Sequence, residues 1–141
     1  MNDVMVHRSV TLDASPEEAW LLLTDPIEVA AWLGTPTEVG GQLGLTEPDG
    51  TTRRLVVDEV APGRRVGFTW WPSADPDAAT HVTLTLTADG DGTTLTVEEV
   101  LVARAGGGRC WIADAGAAWD RRLVDLELAC LAGTGAFAAA I

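Results

Sequence analysis

Apolar and polar positions alternate along the start of the chain. Val4, Val6, Val10 and Leu12 fall on one side of an extended segment, and Arg8 is the charged member of that side. A period of two is typical of a β-strand with one buried face. The pattern therefore predicts that the chain opens with such a strand.

Two short helices are predicted next, because the same capping device occurs twice. Residues 15–18 read Ser-Pro-Glu-Glu and residues 25–28 read Asp-Pro-Ile-Glu. In each, the first side chain can cap the free amides of the first turn, proline suits the first helical position, and the glutamate can reach back to the cap. In the first helix, Ala19, Trp20 and Leu23 are expected to face inward.

The middle of the chain returns to a period of two. Turn signals at 48–50, 61–63 and 89–92 separate the alternating segments, so strands are predicted at 42–45, 53–60, 64–71, 80–87 and 93–102. Apolar side chains on one side of each strand and polar side chains on the other indicate an antiparallel sheet with one buried face and one solvated face.

A long amphipathic helix is predicted from Trp111 onward. Its apolar stripe lies within about 100° of arc and consists of Ile112, Ala115, Gly116, Trp119, Leu123, Leu126 and Cys130. The order of elements predicts an α+β fold in which a curved antiparallel sheet wraps this helix, within one domain spanning 1–141. One helix is too narrow to cover the concave face, so the two short helices are expected to close one end of a hollow.

Several motifs resemble the START-like (SRPBCC) superfamily. They are Val-Thr-Leu-Asp-Ala-Ser-Pro-Glu-Glu-Ala-Trp at 10–20, Leu-Thr-Asp-Pro at 23–26, Trp-Leu at 32–33, Gly-Gly at 40–41 and Val-Asp-Glu-Val-Ala-Pro-Gly-Arg-Arg-Val-Gly-Phe-Thr-Trp at 57–70. Within it, they are most similar to the bacterial branch resembling the C-terminal domain of the activator of the Hsp90-type chaperone ATPase. The resemblance implies a helix-grip fold whose cavity, between the sheet and the last helix, holds apolar small molecules or lipids. Some members are polyketide cyclases or aromatases.

Tryptophan is frequent, with six in 141 residues. Flat apolar side chains around a hollow suit a flat apolar ligand, and the indole N–H can donate a hydrogen bond. The candidate ligand-binding residues are Trp32, Phe68, Trp70, Val82, Leu84, Val97, Trp119 and Leu123. For Trp70 and Trp119 two interpretations stay open, since these rings could either line the hollow or fill it.

Four acids are candidates for chemistry. In the pairs Asp58-Glu59 and Glu98-Glu99, strict alternation would turn one carboxyl of each pair toward the apolar side. A carboxyl in an apolar cavity has a raised pKa and could act as a general acid or base. The simpler alternative is a bulge or rim position that turns the acid outward, so no catalytic residue is assigned. Arg8 could pair with such an acid at the strand edge.

Metal and cofactor chemistry are not expected. His7 and His81 fall on the polar sides of their strands, and no His/Cys/Asp cluster has metal-ligand spacing. Cys110 and Cys130 are expected to be small buried hydrophobic residues, because two cysteines make a poor disulfide framework and favour a cytoplasmic location.

The charge balance excludes several partners. A net charge of −12 repels nucleic-acid phosphates and anionic lipid headgroups. No apolar run approaches the ~20 residues of a membrane span, and no signal peptide is recognisable at the N-terminus. Nucleic-acid binding and membrane insertion are therefore not expected.

The sequence favours a helix-grip domain that binds a hydrophobic, aromatic small molecule non-covalently. Two alternatives stay open. A cyclase or aromatase would need one of the four acids inside the cavity. A co-chaperone-like interaction module would need an exposed apolar patch, for which Val124, Leu128, Leu131 and the segment 136–141 are candidates. The same patch could form a homodimer, which is favoured over chaperone binding.

Overall fold

The structure is a computed structural model that describes residues 5–102 and 108–140, with side chains at all of these positions except 39, 108–113 and 132–140. The predicted positions of Cys110, Ile112 and the apolar segment 136–141 therefore lie outside the described side chains. Among the described residues, no helix combines the length and hydropathy needed to cross a bilayer.

The predicted α+β helix-grip architecture is confirmed. A single antiparallel sheet has the strand order β1-β7-β6-β5-β4-β3-β2. Its strands are β1 (Met5–Leu12), β2 (Thr35–Val39), β3 (Gln42–Thr46), β4 (Thr52–Ala61), β5 (Arg65–Pro72), β6 (Thr80–Asp89) and β7 (Gly92–Leu101). The helices are α1 (Pro16–Thr24), α2 (Pro26–Ala30) and α3 (Gly108–Ala140), with a 3₁₀ turn at Pro76–Ala78.

Both short helices begin where the capping signals predicted. The Ser15 hydroxyl accepts a hydrogen bond from the Glu18 amide at 3.2 Å, and the Glu18 carboxylate accepts one from the Ser15 amide at 3.0 Å. The Asp25 carboxylate accepts a hydrogen bond from the amide of Ile27 at 2.9 Å. Because Asp25 also ends α1, the chain turns sharply between the two helices.

One strand was not predicted. β2 begins Thr-Pro-Thr, and a proline cannot donate to a strand ladder, so the segment resembles a turn. The fold accommodates Pro36 because β2 is the last strand of the sheet and pairs only with β3. An edge position leaves one side of the strand without a required hydrogen-bond partner.

The core lies on the concave face of the sheet. Along β6 and β7 the buried side chains alternate as predicted, with Val82, Leu84 and Leu86 facing inward beside Leu95 and Val97. The described part of the α3 stripe is buried from Gly116 to Cys130, as expected from its helical spacing.

Candidate functional site

A cavity of about 290 Å³ lies between the two short helices and the concave face of the sheet. Its roof comes from α1 and the α2 region, which contribute Leu23, Val29 and Leu33. The capping box of α1 and the Asp25 cap of α2 fix this roof, because the tight turn at Asp25 carries the apolar sides of both helices toward the sheet.

The floor of the cavity is aliphatic and aromatic. β4, β5 and β6 contribute inward side chains, among them Leu55, Val66, Phe68 and Leu84, all at most 8% exposed. These positions alternate along their strands with outward ones, so the period-two pattern places them together. The strands therefore supply a smooth apolar wall.

The mouth of the cavity lies where β3 and β4 diverge. Leu43, Val57 and Val60 line the cavity while remaining 41%, 44% and 56% exposed. β3 pairs with β4 only from Gly44 to Thr46, so the second half of β4 has no described partner on that side. Solvent can therefore reach the cavity along these side chains.

Trp70 forms the inner end of the cavity. It is 1% exposed, and its ring meets Phe68 edge-on with a centroid separation of 5.3 Å. It stacks on Trp119 of α3 with centroids 6.1 Å apart. The two rings are in direct contact, so Trp119 fills space under α3 and does not face Trp70 across a hollow.

A buried carboxylate holds these two indoles. Glu99 is 4% exposed and accepts hydrogen bonds from the indole N–H of Trp70 at 2.9 Å and of Trp119 at 2.7 Å. The hydroxyl of Thr80 also donates to the carboxylate. Three donors from β5, β6 and α3 thus satisfy a group whose burial would otherwise be costly.

An ion-pair network adjoins the tryptophans on the α3 side. The Arg122 guanidinium donates to one Glu47 oxygen at 2.6 Å, and Arg53 donates to the other at 2.8 Å. Arg122 also lies over the rings of Trp119 and Trp70, at 4.7 Å and 5.0 Å from their centroids. Arg53 lies 4.2 Å from the centroid of Trp70. The network fastens α3 to the β3–β4 hairpin.

Opposing effects set the pKa values in this network. Burial alone would raise the pKa of Glu47, but the hydrogen bonds and positive charges of Arg122 and Arg53 outweigh it and leave that pKa below its ordinary value. Burial lowers the pKa of Arg122, and the Glu47 partner counteracts this effect. Glu47 is therefore held as a carboxylate by two cations.

The four candidate acids lie outside the cavity lining. Of these four acids, Glu99 alone is buried, and its carboxylate faces Trp70 and Trp119 and not the cavity. A β-bulge between Val57 and Glu59 turns both acids of β4 into exposed positions, as the simpler interpretation predicted. Glu98 is half-buried on the opposite side of β7 from Glu99. The arrangement does not bring a carboxyl into the described cavity.

A polar cluster occupies the outer face of the sheet at this bulge. His81 Nε2 lies 2.9 Å from one Asp58 oxygen, and the Thr69 hydroxyl donates to the other at 3.0 Å. Burial alone would raise the pKa of Asp58, but the hydrogen bonds from His81 and Thr69 outweigh it and lower that pKa. Arg8 pairs with Asp120 of α3 at 2.8 Å and with none of the four acids.

The candidate ligand-binding residues divide into two groups. Phe68, Trp70 and Leu84 line the cavity. The other five are buried outside its lining and are Trp32, Val82, Val97, Trp119 and Leu123. Trp32, for example, donates its indole N–H to the carbonyl of Leu22 at 2.8 Å and so secures α2 to α1.

The described cavity differs in position from the expected one. It was expected between the sheet and the C-terminal helix, but no described side chain of α3 lines it. Under the described part of α3, Trp119 and Arg122 occupy the space, and the described cavity lies beneath α1 and α2. Arg122 directly precedes Leu123 of the apolar stripe, and its burial was not expected from the sequence.

The chain was compared with known families and structures. A family model described as "Activator of Hsp90 ATPase homolog 1-like protein" matches residues 13–127. No curated protein sequence gives a significant match.

Solved structures share the fold. DynU16, described as a putative protein in the dynemicin biosynthetic locus, is 29% identical with a TM-score of 0.78; the match covers 92% of this chain but only 48% of that one. Protein MLL2253 from Mesorhizobium loti is 25% identical over 89% of this chain and 95% of its own, with a TM-score of 0.76. CalU16 from Micromonospora echinospora is 24% identical over 89% of this chain and 75% of its own, with a TM-score of 0.71. This chain thus spans about half the length of DynU16.

Proposed function

The chain belongs to the activator of Hsp90 ATPase homolog 1-like family, within the START-like superfamily, and on that premise we propose that it binds a flat apolar small molecule non-covalently. The observation that carries the proposal is the cavity under α1 and α2, whose volume of about 290 Å³ is near the lower end of small-molecule pockets. The ligand would rest on Phe68 and Trp70 and enter past Val57 and Val60.

The alternative of a cyclase or aromatase has less support. It requires a carboxyl within reach of a bound molecule, and none of Asp58, Glu59, Glu98 and Glu99 lines the cavity. Glu99 already accepts three hydrogen bonds from Trp70, Thr80 and Trp119. It therefore acts as a fixed acceptor that positions two indoles.

Ligand binding can be measured through the fluorescence of Trp70. Since its ring lines the cavity, a flat aromatic ligand there should quench tryptophan fluorescence. Titration with a panel of naphthalene-type, aromatic polyketide-like and fatty-acid probes is expected to give saturable quenching with the flat apolar members. If no probe quenches saturably, the binding proposal fails.

A cavity-filling variant sharpens this test. In Val66→Phe the added ring would occupy the cavity, so we expect probe affinity to fall at least tenfold while stability against urea is kept or slightly raised. The matched control is Val56→Phe, because Val56 is 49% exposed and does not line the cavity. Equal loss of affinity in both variants would contradict the assigned site.

The homodimer expected from the sequence stays a prediction. Val124, Leu128 and Leu131 are 54%, 59% and 60% exposed and follow one another along one side of α3. Light scattering coupled to size-exclusion chromatography, on the wild type and on Leu128→Asp, measures the oligomeric state directly. A wild type that is monomeric at all concentrations would remove the dimer proposal.

A further inference from the structure

The cavity has almost no polar surface. Of the sixteen residues that line it, only Thr24 and Trp70 carry a polar side-chain atom. The Thr24 hydroxyl already donates to the Trp20 carbonyl at 2.9 Å. The Trp70 indole N–H donates to Glu99 and Thr80. Neither side chain has a free donor for a ligand.

Within the described part of the chain, the lining includes no arginine, and the sequence contains no lysine at all. The three arginines of β4 and β5 contact other side chains, although the buried Nε of Arg65 has no hydrogen-bond partner among the described residues. Arg53 pairs with Glu47, Arg54 donates to Gln42 at 3.3 Å, and Arg65 lies 3.6 Å from Glu59.

The charge of the whole chain also opposes the entry of an anion. The whole chain has a net charge of −12. An approaching anion therefore meets like charge before it reaches an interior whose side chains offer no free donor.

We propose that the cavity selects uncharged apolar molecules and excludes the carboxylates of the same shape. The inference rests on the proposed function and names its ligand class. An unpaired carboxylate loses its hydration on entering an apolar cavity and gains neither a cation nor a hydrogen bond from a lining side chain, whereas a neutral ring loses no strong hydration. Shape alone would admit both.

A matched pair of probes tests the proposal. Isothermal titration calorimetry at pH 7 compares 2-methylnaphthalene with 2-naphthoate, which differ by a methyl and a carboxylate on the same ring system. We expect the neutral probe to bind at least tenfold more tightly. Equal binding, or tighter binding of 2-naphthoate, would overturn the charge selection while leaving the binding site itself in place. If neither probe binds, the proposed function fails, and the selection with it.

An introduced cation provides a second test of the charge selection. Val57→Lys places an ammonium at the mouth on a side chain that is already 44% exposed, so folding should be preserved. The variant is expected to raise the affinity for 2-naphthoate at least fivefold. Val56→Lys is the matched control, because it adds the same charge one residue away, outside the lining. Equal gains in the two variants would overturn the inference, since the effect would then come from net charge and not from the cavity.

Discussion

The two ends of the concave face use the same sheet in opposite ways. Under the described part of α3 the space is filled by the rings of Trp70 and Trp119, Glu99 accepts a hydrogen bond from each indole, and Arg122 pairs with Glu47. Under α1 and α2 the side chains are smaller aliphatic residues, and a cavity remains. The difference shows that side-chain volume and pairing decide where a curved sheet stays open.

Trp70 is the boundary between the two ends. One part of its ring lines the cavity, and its N–H belongs to the Glu99 cluster. A change on the filled side should therefore act on stability, and a change on the open side should act on ligand affinity as well. The predictions below test that division.

The largest expected effect is on the filled side. Trp119→Ala removes a fully buried ring and one donor to Glu99, so unfolding free energy should fall by about 3–5 kcal/mol. Affinity for a neutral probe should change less than twofold, because Trp119 does not line the cavity. Urea unfolding and probe titration measure the two quantities.

Leu84→Ala is the comparison on the open side. Leu84 is 2% exposed and lines the cavity, so its truncation should lower both stability and probe affinity. If Trp119→Ala also weakened probe binding tenfold or more, the two ends would not be independent. Trp119→Phe, which keeps most of the packing, supplies a variant that is expected to fold.

The next effect concerns charge. Glu47→Gln leaves the buried Arg122 guanidinium without a carboxylate, and we expect a loss of about 3 kcal/mol at pH 7. Chemical denaturation at fixed pH measures it. A loss below about 0.5 kcal/mol would mean that the network does not fasten α3 to the hairpin.

The same residue gives the filled end a pH dependence. The pKa of Glu47 is lower in the folded protein than its ordinary value of 4.5, so its stabilisation is fully present above that value and is lost as the pH falls through the folded pKa. Below pH 4.5 the wild type should lose stability more steeply than Glu47→Gln. If the unfolding free energies of the wild type and of Glu47→Gln fell equally with decreasing pH, Glu47 would not contribute to the acid sensitivity.

The smallest effect is expected at the roof of the cavity. Ser15→Ala removes the N-cap of α1 and should cost about 0.5–2 kcal/mol. Since α1 covers the open end, a modest loss of probe affinity should accompany the loss of stability. Thr11→Ala is the control, because Thr11 is exposed on β1, and among the described residues its hydroxyl has one hydrogen bond, at 3.4 Å to the hydroxyl of Thr94. An unchanged urea midpoint in Ser15→Ala would contradict the capping role.

The sequence by itself determined the elements whose causes are local. The caps at Ser15 and Asp25, the alternation in β6 and β7 and the stripe on α3 each depend on residues within a few positions of one another. Local hydrogen bonds and periodic burial are sufficient to specify them. The strand with Pro36 was missed because only its edge position makes it tolerable.

Tertiary structure alone decided which acids and rings face which space. Glu99 is buried because donors from β5, β6 and α3 converge on it, whereas the bulge in β4 turns Asp58 outward to His81. Trp119 fills the space under α3 because it meets Trp70, a residue 49 positions away in the sequence. Whether a side chain fills a hollow or lines it depends on the volume left by such distant partners, and no local pattern in the sequence records that volume.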